Sequence, residues 1–232
     1  MSKALYLLFD IDGTLIDAAG AGRLSLDLAL EQEFEKQRTE PIALQGRTDL
    51  GIFTEYLERH QIEVTAQNLY RFRHAYLTLL PQQMQLRPGK VCSGVESLLN
   101  VLGGDERFKM GLLTGNSERS ASIKLTHFNL HRWFSFGIYG EHALKRIDLA
   151  HDIAEVLHTI TQSSWDKQQV VVIGDTPDDV ALGKAFGANT IAVGTGGHSW
   201  DELQSSDPTL LLEDLQDGYS VLEGFLEKVN SL

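Results

Sequence analysis

Four short runs of apolar residues constrain this chain more than any other feature of its sequence. They are ALYLLF (4–9), KMGLL (109–113), VVVIG (170–174) and TIAV (190–193). Apolar residues at nearly every position are typical of parallel strands that are covered by helices on both faces. Two weaker runs of the same kind are SFGIY (135–139) and TLLL (209–212). The runs therefore predict a buried parallel sheet.

Segments with helical spacing alternate with these runs. Helices are predicted over 117–128, 148–161 and 176–186. The last is the best delimited, because Thr176 can cap it, Pro177 suits its first turn and Gly187 can end it. Ser199 and Glu202 fit a capping box for a short helix further along the chain. Strands that alternate with helices predict an α/β fold.

One long segment interrupts this alternation. Residues 16 to about 86 hold no run that predicts a strand, and their apolar residues have helical spacing over 22–34, 50–60 and 66–80. Pro81 and Pro88 mark the predicted exit. We therefore predict a helical insertion over 16–86 and a core formed by 1–15 and 87–232, with hinges near Ile16 and Pro88.

The composition argues against several classes of protein. The chain has 232 residues and a formal net charge of −12, and so acidic a surface repels nucleic acid. Its single cysteine, Cys92, cannot form an internal disulfide. There is no signal-peptide pattern and no apolar run near the ~20 residues that span a bilayer. We expect a cytoplasmic monomer or homodimer that binds neither nucleic acid nor membranes.

Polar residues directly follow three of the predicted strands. They are Asp10-Ile11-Asp12-Gly13-Thr14, Thr114-Gly115-Asn116 and Asp175-Thr176-Pro177-Asp178-Asp179. Ligands of open α/β sheets bind at the carboxyl ends of the strands, so the three clusters are expected at one site. Several buried carboxylates need a cation, and an all-oxygen set of ligands suits magnesium.

The three clusters, in this order, resemble motifs of the haloacid dehalogenase superfamily. Residues 10–15 resemble its first motif, 112–116 its second and 171–179 its fourth. The helical insertion after the first motif looks like the helical cap of that family, and the overall resemblance is to the phosphoglycolate-phosphatase-like hydrolases. It implies a Rossmann-like core and a magnesium-dependent phosphatase that acts on a small phosphorylated metabolite.

The resemblance also implies roles for the carboxylates. Asp10 is expected to be the nucleophile that forms an aspartyl-phosphate, and Asp12 to protonate the leaving oxygen and then deprotonate water. The expected magnesium ligands are the Asp10 carboxylate, the Asp12 carbonyl and Asp175. Asp179 is expected to bind the ion through water or to orient the other ligands.

Phosphate binding is expected at the first and second motifs. By the resemblance, the Thr114 hydroxyl and nearby backbone N–H groups hold the phosphoryl oxygens. The candidate phosphate-binding residues here are therefore Gly13, Gly115 and Asn116. A helix that begins near Asn116 also aims N–H donors at an anion.

The third motif departs from the pattern of the family, which usually supplies a lysine followed by proline. The corresponding stretch is Gly140-Glu141-His142-Ala143-Leu144-Lys145-Arg146. We favour Arg146 over Lys145 as the cation that holds the nucleophilic carboxylate near a phosphate dianion.

Two glycine-containing loops each allow a structural and a functional interpretation. Gln45-Gly46-Arg47-Thr48-Asp49 is either a solvated loop or a cap loop that brings Arg47 to an anionic substrate. Gly194-Thr195-Gly196-Gly197 lacks the ending of a phosphate loop, and we interpret it as flexible.

Other functions remain open at this point. A phosphosugar mutase would use the same phospho-aspartate chemistry. A phospho-accepting receiver domain also clusters acids around magnesium, but the insertion argues against it. A non-catalytic binding module is disfavoured because no core carboxylate is missing, and a dehalogenase because Asp12 is present.

Overall fold

The computed structural model describes residues 3–37, 42–87, 89–161 and 165–231. Its strands are β1 (Leu5–Phe9), β2 (Ile16–Asp17), β3 (Lys90–Val91), β4 (Phe108–Thr114), β5 (Gly137–Tyr139), β6 (Val170–Gly174), β7 (Asn189–Val193) and β8 (Leu210–Leu212). Within the described residues, six of these strands form one parallel sheet in the order β5-β4-β1-β6-β7-β8. All six predicted runs are strands of this sheet.

Helices surround the sheet and form the insertion. They are α1 (Ala21–Phe34), α2 (Asp49–Arg59), α3 (Ala66–Leu86), α4 (Val95–Gly103), α5 (Glu118–His127), α6 (Ala150–Ile160), α7 (Pro177–Phe186), α8 (Trp200–Ser205) and α9 (Gly218–Asn230). A 3₁₀ turn over Arg146–Leu149 precedes α6. The α/β fold with a Rossmann-like parallel sheet is confirmed. We did not predict α4 and α9, which contact each other.

Strand β1 lies at the centre of the sheet and explains why its residues are apolar at every position. Leu5, Leu7 and Phe9 pack into the apolar cluster on one face, and Tyr6 and Leu8 pack into the cluster on the other. Side chains of a strand alternate between faces, so every side chain is buried when both faces of the sheet are covered. Burial of each leucine contributes about 2 kcal/mol to stability.

Helix α7 begins and ends at the residues that the sequence indicates. The Thr176 hydroxyl accepts a hydrogen bond from the Asp179 N–H, and the Asp179 carboxylate accepts one from the Thr176 N–H in return. Gly187 ends the helix with φ 91°, a left-handed conformation that favours glycine. This capping fixes Asp179 at the carboxyl end of β6.

Helices α1, α2 and α3 of the insertion pack around an apolar cluster of their own. Its residues come from 21 to 84 and include Leu26, Phe53, Tyr56, Phe72 and Tyr76. The rings of Phe53 and Phe72 meet edge to face with centroids 5.5 Å apart. The helices thus bury a core that is separate from the two clusters on the sheet.

The predicted exit from the insertion is wrong at Pro81, which lies inside α3. A proline within a helix costs about 3 kcal/mol because it removes one hydrogen bond and crowds the preceding turn. Leu80 and Met84 are both buried in the apolar cluster of the insertion. Their burial offsets that cost, so the helix continues to Leu86. Pro88 lies outside the described residues.

The chain enters and leaves the insertion through two short paired strands. In β2 and β3, Ile16 is opposite Val91 and Asp17 is opposite Lys90, antiparallel. Our interpretation that residues 16–86 hold no strand is therefore wrong at the first two positions, because a two-residue strand has no detectable periodicity. Among the described residues, no helix has both the length and the apolar character needed to cross a bilayer.

Candidate active site

A cavity of about 630 Å³ lies at the carboxyl ends of β1, β4 and β6, between the sheet and the insertion. Its lining from the core includes Asp10, Asp12, Gly13, Gly115, Asn116, Lys124, Arg146, Asp175 and Thr195. Its lining from the insertion includes Arg23, Leu26, Arg47, Asp49, Ile52 and Tyr76. The three strands are neighbours in the sheet, so the predicted polar clusters meet at one site.

Three buried carboxylates form the centre of this site. One oxygen from each of Asp10, Asp175 and Asp179 lies within 4.8 Å of the other two. Burial raises the pKa of Asp10 to about 6, against the opposing charge of Arg146. Burial and the neighbouring Asp10 charge raise the pKa of Asp175 to about 8. The protein itself therefore leaves these carboxylates short of compensating positive charge.

The hydrogen bonds of the carboxylates show which oxygens remain available. Asp10 Oδ1 is buried and accepts no hydrogen bond. Asp175 Oδ1 accepts one from Thr14 Oγ1 at 3.1 Å. Asp179 is occupied on both oxygens, by Arg146 on Oδ1 and by Thr176 on Oδ2. A set of carboxylate oxygens in which Asp10 Oδ1 accepts no hydrogen bond fits a hard divalent cation such as magnesium.

The backbone packs closely around the Asp175 carboxylate because two residues that face it, Gly13 and Gly196, have no side chain. A Cβ atom at Gly13, whose φ is +87°, would collide with the Asp175 carboxylate, and so would one at Gly196. Thr195 Oγ1 donates to the Gly13 carbonyl at 2.6 Å. The glycine loop that we interpreted as flexible therefore packs against the first motif, a contact that its sequence did not reveal.

Arg146 lies among the carboxylates. Its Nη2 donates to the Leu113 carbonyl at 3.1 Å and to Asp179. The same nitrogen lies 2.8 Å from Asp10 Oδ1, an ion pair without hydrogen-bond geometry. Lys145 is exposed, and its backbone N–H donates to Asp148. The structure therefore brings Arg146 to the carboxylates and leaves the Lys145 side chain outside the cavity lining.

Asp12 is held by residues of the second motif and of α5. Its side chain is 43% exposed, and Oδ2 accepts from Lys124 Nζ at 2.6 Å and from Asn116 Nδ2 at 2.8 Å. Lys124 Nζ also donates to Asn116 Oδ1 at 2.7 Å. Thr114 Oγ1 accepts from both nitrogens of Asn116, which leaves its own proton free for another acceptor.

Sequence reasoning missed Lys124, although a signal was present. Ser120, Ala121, Lys124 and Leu125 are all buried on one face of α5. A lysine at helical spacing from buried residues faces inwards, and a buried lysine needs an acidic or polar partner. That partner is distant in sequence, so only the fold identifies it as Asp12.

The loop before α2 contacts the second motif directly. The Asp49 N–H donates to the Gly115 carbonyl at 2.7 Å. Asp49 Oδ2 accepts from Ser117 N at 2.7 Å and from Ser120 Oγ at 2.6 Å. A Cβ atom at Gly115 would collide with the Arg47 carbonyl. The predicted cap loop includes Asp49, but no role was predicted for that residue, which connects the insertion to the start of α5.

Arg47 lines the cavity, but its guanidinium already has partners. It forms an ion pair with Glu55. It also donates to the Ala43 carbonyl at 3.3 Å and to the Gly51 carbonyl at 3.4 Å. The Arg47 guanidinium is therefore already paired within the insertion, with a carboxylate that also contacts Arg59.

The chain and its fold are similar to those of known proteins. The chain is 24% identical over 225 residues to a phosphoglycolate phosphatase from Pseudomonas fluorescens (strain Pf0-1), covering 90% of this chain and 76% of that protein. The structure resembles that of a predicted phosphoglycolate phosphatase from Haemophilus somnus 129PT, with a TM-score of 0.73, 17% identity and coverage of 96% and 99%. It also resembles a predicted phosphatase from Clostridium acetobutylicum, with a TM-score of 0.68, 22% identity and full coverage of both chains.

At these identities, the structural likeness establishes the fold alone. The family assignment comes from the family model described as haloacid dehalogenase-like hydrolase, which matches residues 7–193. The matched range includes the polar clusters that follow β1, β4 and β6. The chain is therefore a hydrolytic enzyme that belongs to the haloacid dehalogenase-like hydrolases.

Proposed function

We propose that this enzyme is a magnesium-dependent phosphatase that hydrolyses a small phosphorylated metabolite through an aspartyl-phosphate on Asp10. The observation that carries the proposal is the buried group of Asp10, Asp175 and Asp179, with Arg146 beside it, at the floor of a cavity large enough for a metabolite. The phosphatase names of its relatives support the same reaction class.

The donor atoms support a particular division of labour around the metal. Asp10 and Asp175 would hold magnesium with their carboxylates, and Asp12 with its carbonyl. Asp179 would orient the site, because its two oxygens are already occupied by Arg146 and Thr176. When bound, the ion offsets the carboxylate charge and polarises a phosphoryl oxygen.

The residues of the chain would perform the first half of the reaction as follows. An Asp10 carboxylate oxygen attacks phosphorus, and the bond from phosphorus to the leaving oxygen breaks. Asp12 gives its proton to that leaving oxygen. The Thr114 hydroxyl, whose proton is free, and the N–H groups after β4 hold the phosphoryl oxygens.

The second half would restore the enzyme. Water attacks the phosphorus of the aspartyl-phosphate, Asp12 takes a proton from that water, and inorganic phosphate leaves with Asp10 regenerated. Lys124 would act as a positioning residue, because its ammonium group and Asn116 fix the carboxylate that makes both proton transfers.

We also propose that residues 16–86 act as a cap over this site, with the core formed by 1–15 and 87–232. The separate apolar cluster of the insertion and its contact through Asp49 support this division. The paired crossings at β2 and β3 would be the hinge.

The test is a panel of phosphate monoesters, assayed for release of inorganic phosphate with and without magnesium. The active-site blank is Asp10→Asn, and the control variant is Asp152→Asn on the exposed side of α6. Phosphate release by the wild type and by the control, but not by the blank, is expected. Transfer of the phosphoryl group to a second sugar position without release would instead support a mutase. No reaction with any ester would count against both.

A further inference from the structure

Arg23, in the first turn of α1, lines the cavity with an unneutralised charge. Its Nη2 donates to the Ile42 carbonyl at 2.7 Å. Its Nη1 is buried and donates to no acceptor. Within the described ranges, no carboxylate lies within ion-pair distance of this guanidinium. Buried donors without partners are costly, so this arrangement favours a ligand that supplies an acceptor.

The other cations of the cavity differ from Arg23 in this respect. Arg47 is paired with Glu55. Lys124 is paired with Asp12, and Arg146 with Asp10 and Asp179. Each of these three side chains is therefore paired with a carboxylate of the protein. Arg23 alone, in the described part of the lining, keeps its charge for a ligand.

Tyr76 provides a second free donor in the lining of the same cavity. It projects from α3, and its hydroxyl oxygen would lie 3.9 Å from a Cβ atom at Gly22, the residue before Arg23. No acceptor for this hydroxyl is found among the described residues. Burial, and then the charges of Asp49 and Asp12, raise the pKa of Tyr76 well above its usual value. The hydroxyl therefore keeps its proton and can donate.

Small residues leave room for a ligand at these donors. Gly20 and Gly22 flank the start of α1, and both line the cavity with Arg23. A Cβ atom at Gly20 would meet only Arg87, at 3.6 Å. A planar guanidinium binds a carboxylate or phosphate through two parallel hydrogen bonds, and a phenol can add a third.

We propose that Arg23 and Tyr76 form a subsite for a second anionic group of the substrate, so that the preferred substrates are phosphate monoesters that also carry a carboxylate or another phosphate. This inference rests on the proposed phosphatase function. It assigns the remote anion to Arg23 rather than to Arg47, whose charge is already paired. It also explains how a cavity rich in aspartate can accept a doubly anionic ligand.

The test uses two matched pairs of esters. For the carboxylate, 2-phosphoglycolate is compared with ethyl phosphate; for the second phosphate, fructose 1,6-bisphosphate is compared with fructose 6-phosphate. Within the pair that the wild type hydrolyses, Arg23→Met should lower kcat/KM for the ester with the extra anion by about tenfold to hundredfold, chiefly by raising KM. The ester without that anion should change by less than about twofold. The pair that responds identifies the second group.

Tyr76→Phe removes one hydroxyl from a buried ring and should act in the same direction, by a smaller factor. The matched control is Arg71→Met on α3, because Arg71 is largely exposed and bonded to Glu33 at 3.2 Å. Equal losses on both members of a pair, or no loss on either, would overturn the subsite. So would a wild-type preference for the esters that lack the second anion.

A binding measurement separates the subsite from the phosphatase reaction. Calorimetry with Asp10→Asn, with and without Arg23→Met, should show about tenfold weaker binding of 2-phosphoglycolate or fructose 1,6-bisphosphate to the double variant. If the wild type releases no phosphate from any ester, the proposed function fails, whatever the calorimetry shows. If phosphate is released but affinity does not depend on Arg23, only the subsite fails.

Discussion

Replacement of Lys124 by methionine should slow the hydrolysis of alkyl phosphates far more than that of p-nitrophenyl phosphate. The Lys124 side chain is only 7% exposed, and its ammonium lies 2.6 Å from Asp12 Oδ2. Methionine has a similar length and no charge, so it preserves packing while removing the donor. Asp12 would then be held only by Asn116.

The magnitude follows from the proposed role of Asp12. A positioned general acid contributes about 10²- to 10⁴-fold to a rate. Loss of one of two donors misplaces Asp12 without removing it, so we expect about 30- to 100-fold lower kcat/KM for alkyl esters, at or just below the lower end of that range. The ratio kcat/KM reports the steps up to departure of the leaving group, before Asp12 acts on water. A nitrophenolate leaves without needing a proton, so kcat/KM for its ester should fall by less than about fivefold.

The assay measures kcat/KM across esters whose leaving groups range from alkoxides to nitrophenolates. The variant should show a steeper decline in rate as the leaving group becomes more basic. Lys109→Met is the control, because Lys109 is exposed on β4. A loss of the same size for every leaving group would refute the positioning role and assign Lys124 to stability alone, which melting temperatures of both variants would check.

Three further outcomes are expected. Asp10→Asn should abolish phosphate release while circular dichroism stays unchanged, because an amide cannot form the acyl-phosphate; wild-type turnover by a pure variant would remove Asp10 from the mechanism. Arg146→Ala should lower kcat at least about 100-fold and Lys145→Ala much less, because Arg146 contacts Asp10 and Asp179 whereas Lys145 is exposed. The reverse order in steady-state assays would contradict the geometry. Because the pKa values of Asp10 and Asp175 are raised, to about 6 and about 8, the metal-free fold is stabilised at low pH and loses that contribution as the pH rises through these values. Magnesium must displace the retained protons, so it should raise the melting temperature more at pH 8.5 than at pH 5.5 in thermal denaturation; an equal rise would exclude these groups as its ligands.

The strands and the carboxylates were predictable because their signals are local. A strand buried on both faces, such as Val170–Gly174, must be apolar throughout, and Asp175 follows it directly in sequence. Parallel neighbours then bring such residues together without further information. The position of the clustered carboxylates is thus predictable from short stretches of sequence.

The remaining contacts of the site depend on how separate elements pack, which no short stretch encodes. Lys124 reaches Asp12 only because α5 turns one face towards the first motif. Asp49 reaches Ser117 only because the insertion lies against the carboxyl end of β4. Pro81 shows the opposite case, since a strong local signal for a helix end is overridden by burial on both sides.

The pairing of β2 with β3 has a consequence for the evolution of the chain. Ile16 and Val91 are neighbours, so the two ends of the intervening segment lie about one strand spacing apart, about 4.8 Å. A segment with adjacent ends can be shortened, lost or exchanged for another without altering the strand order of the sheet that carries it. The segment between the two strands thus has the geometry of a cassette that can be exchanged at this one ribbon without disturbing the sheet.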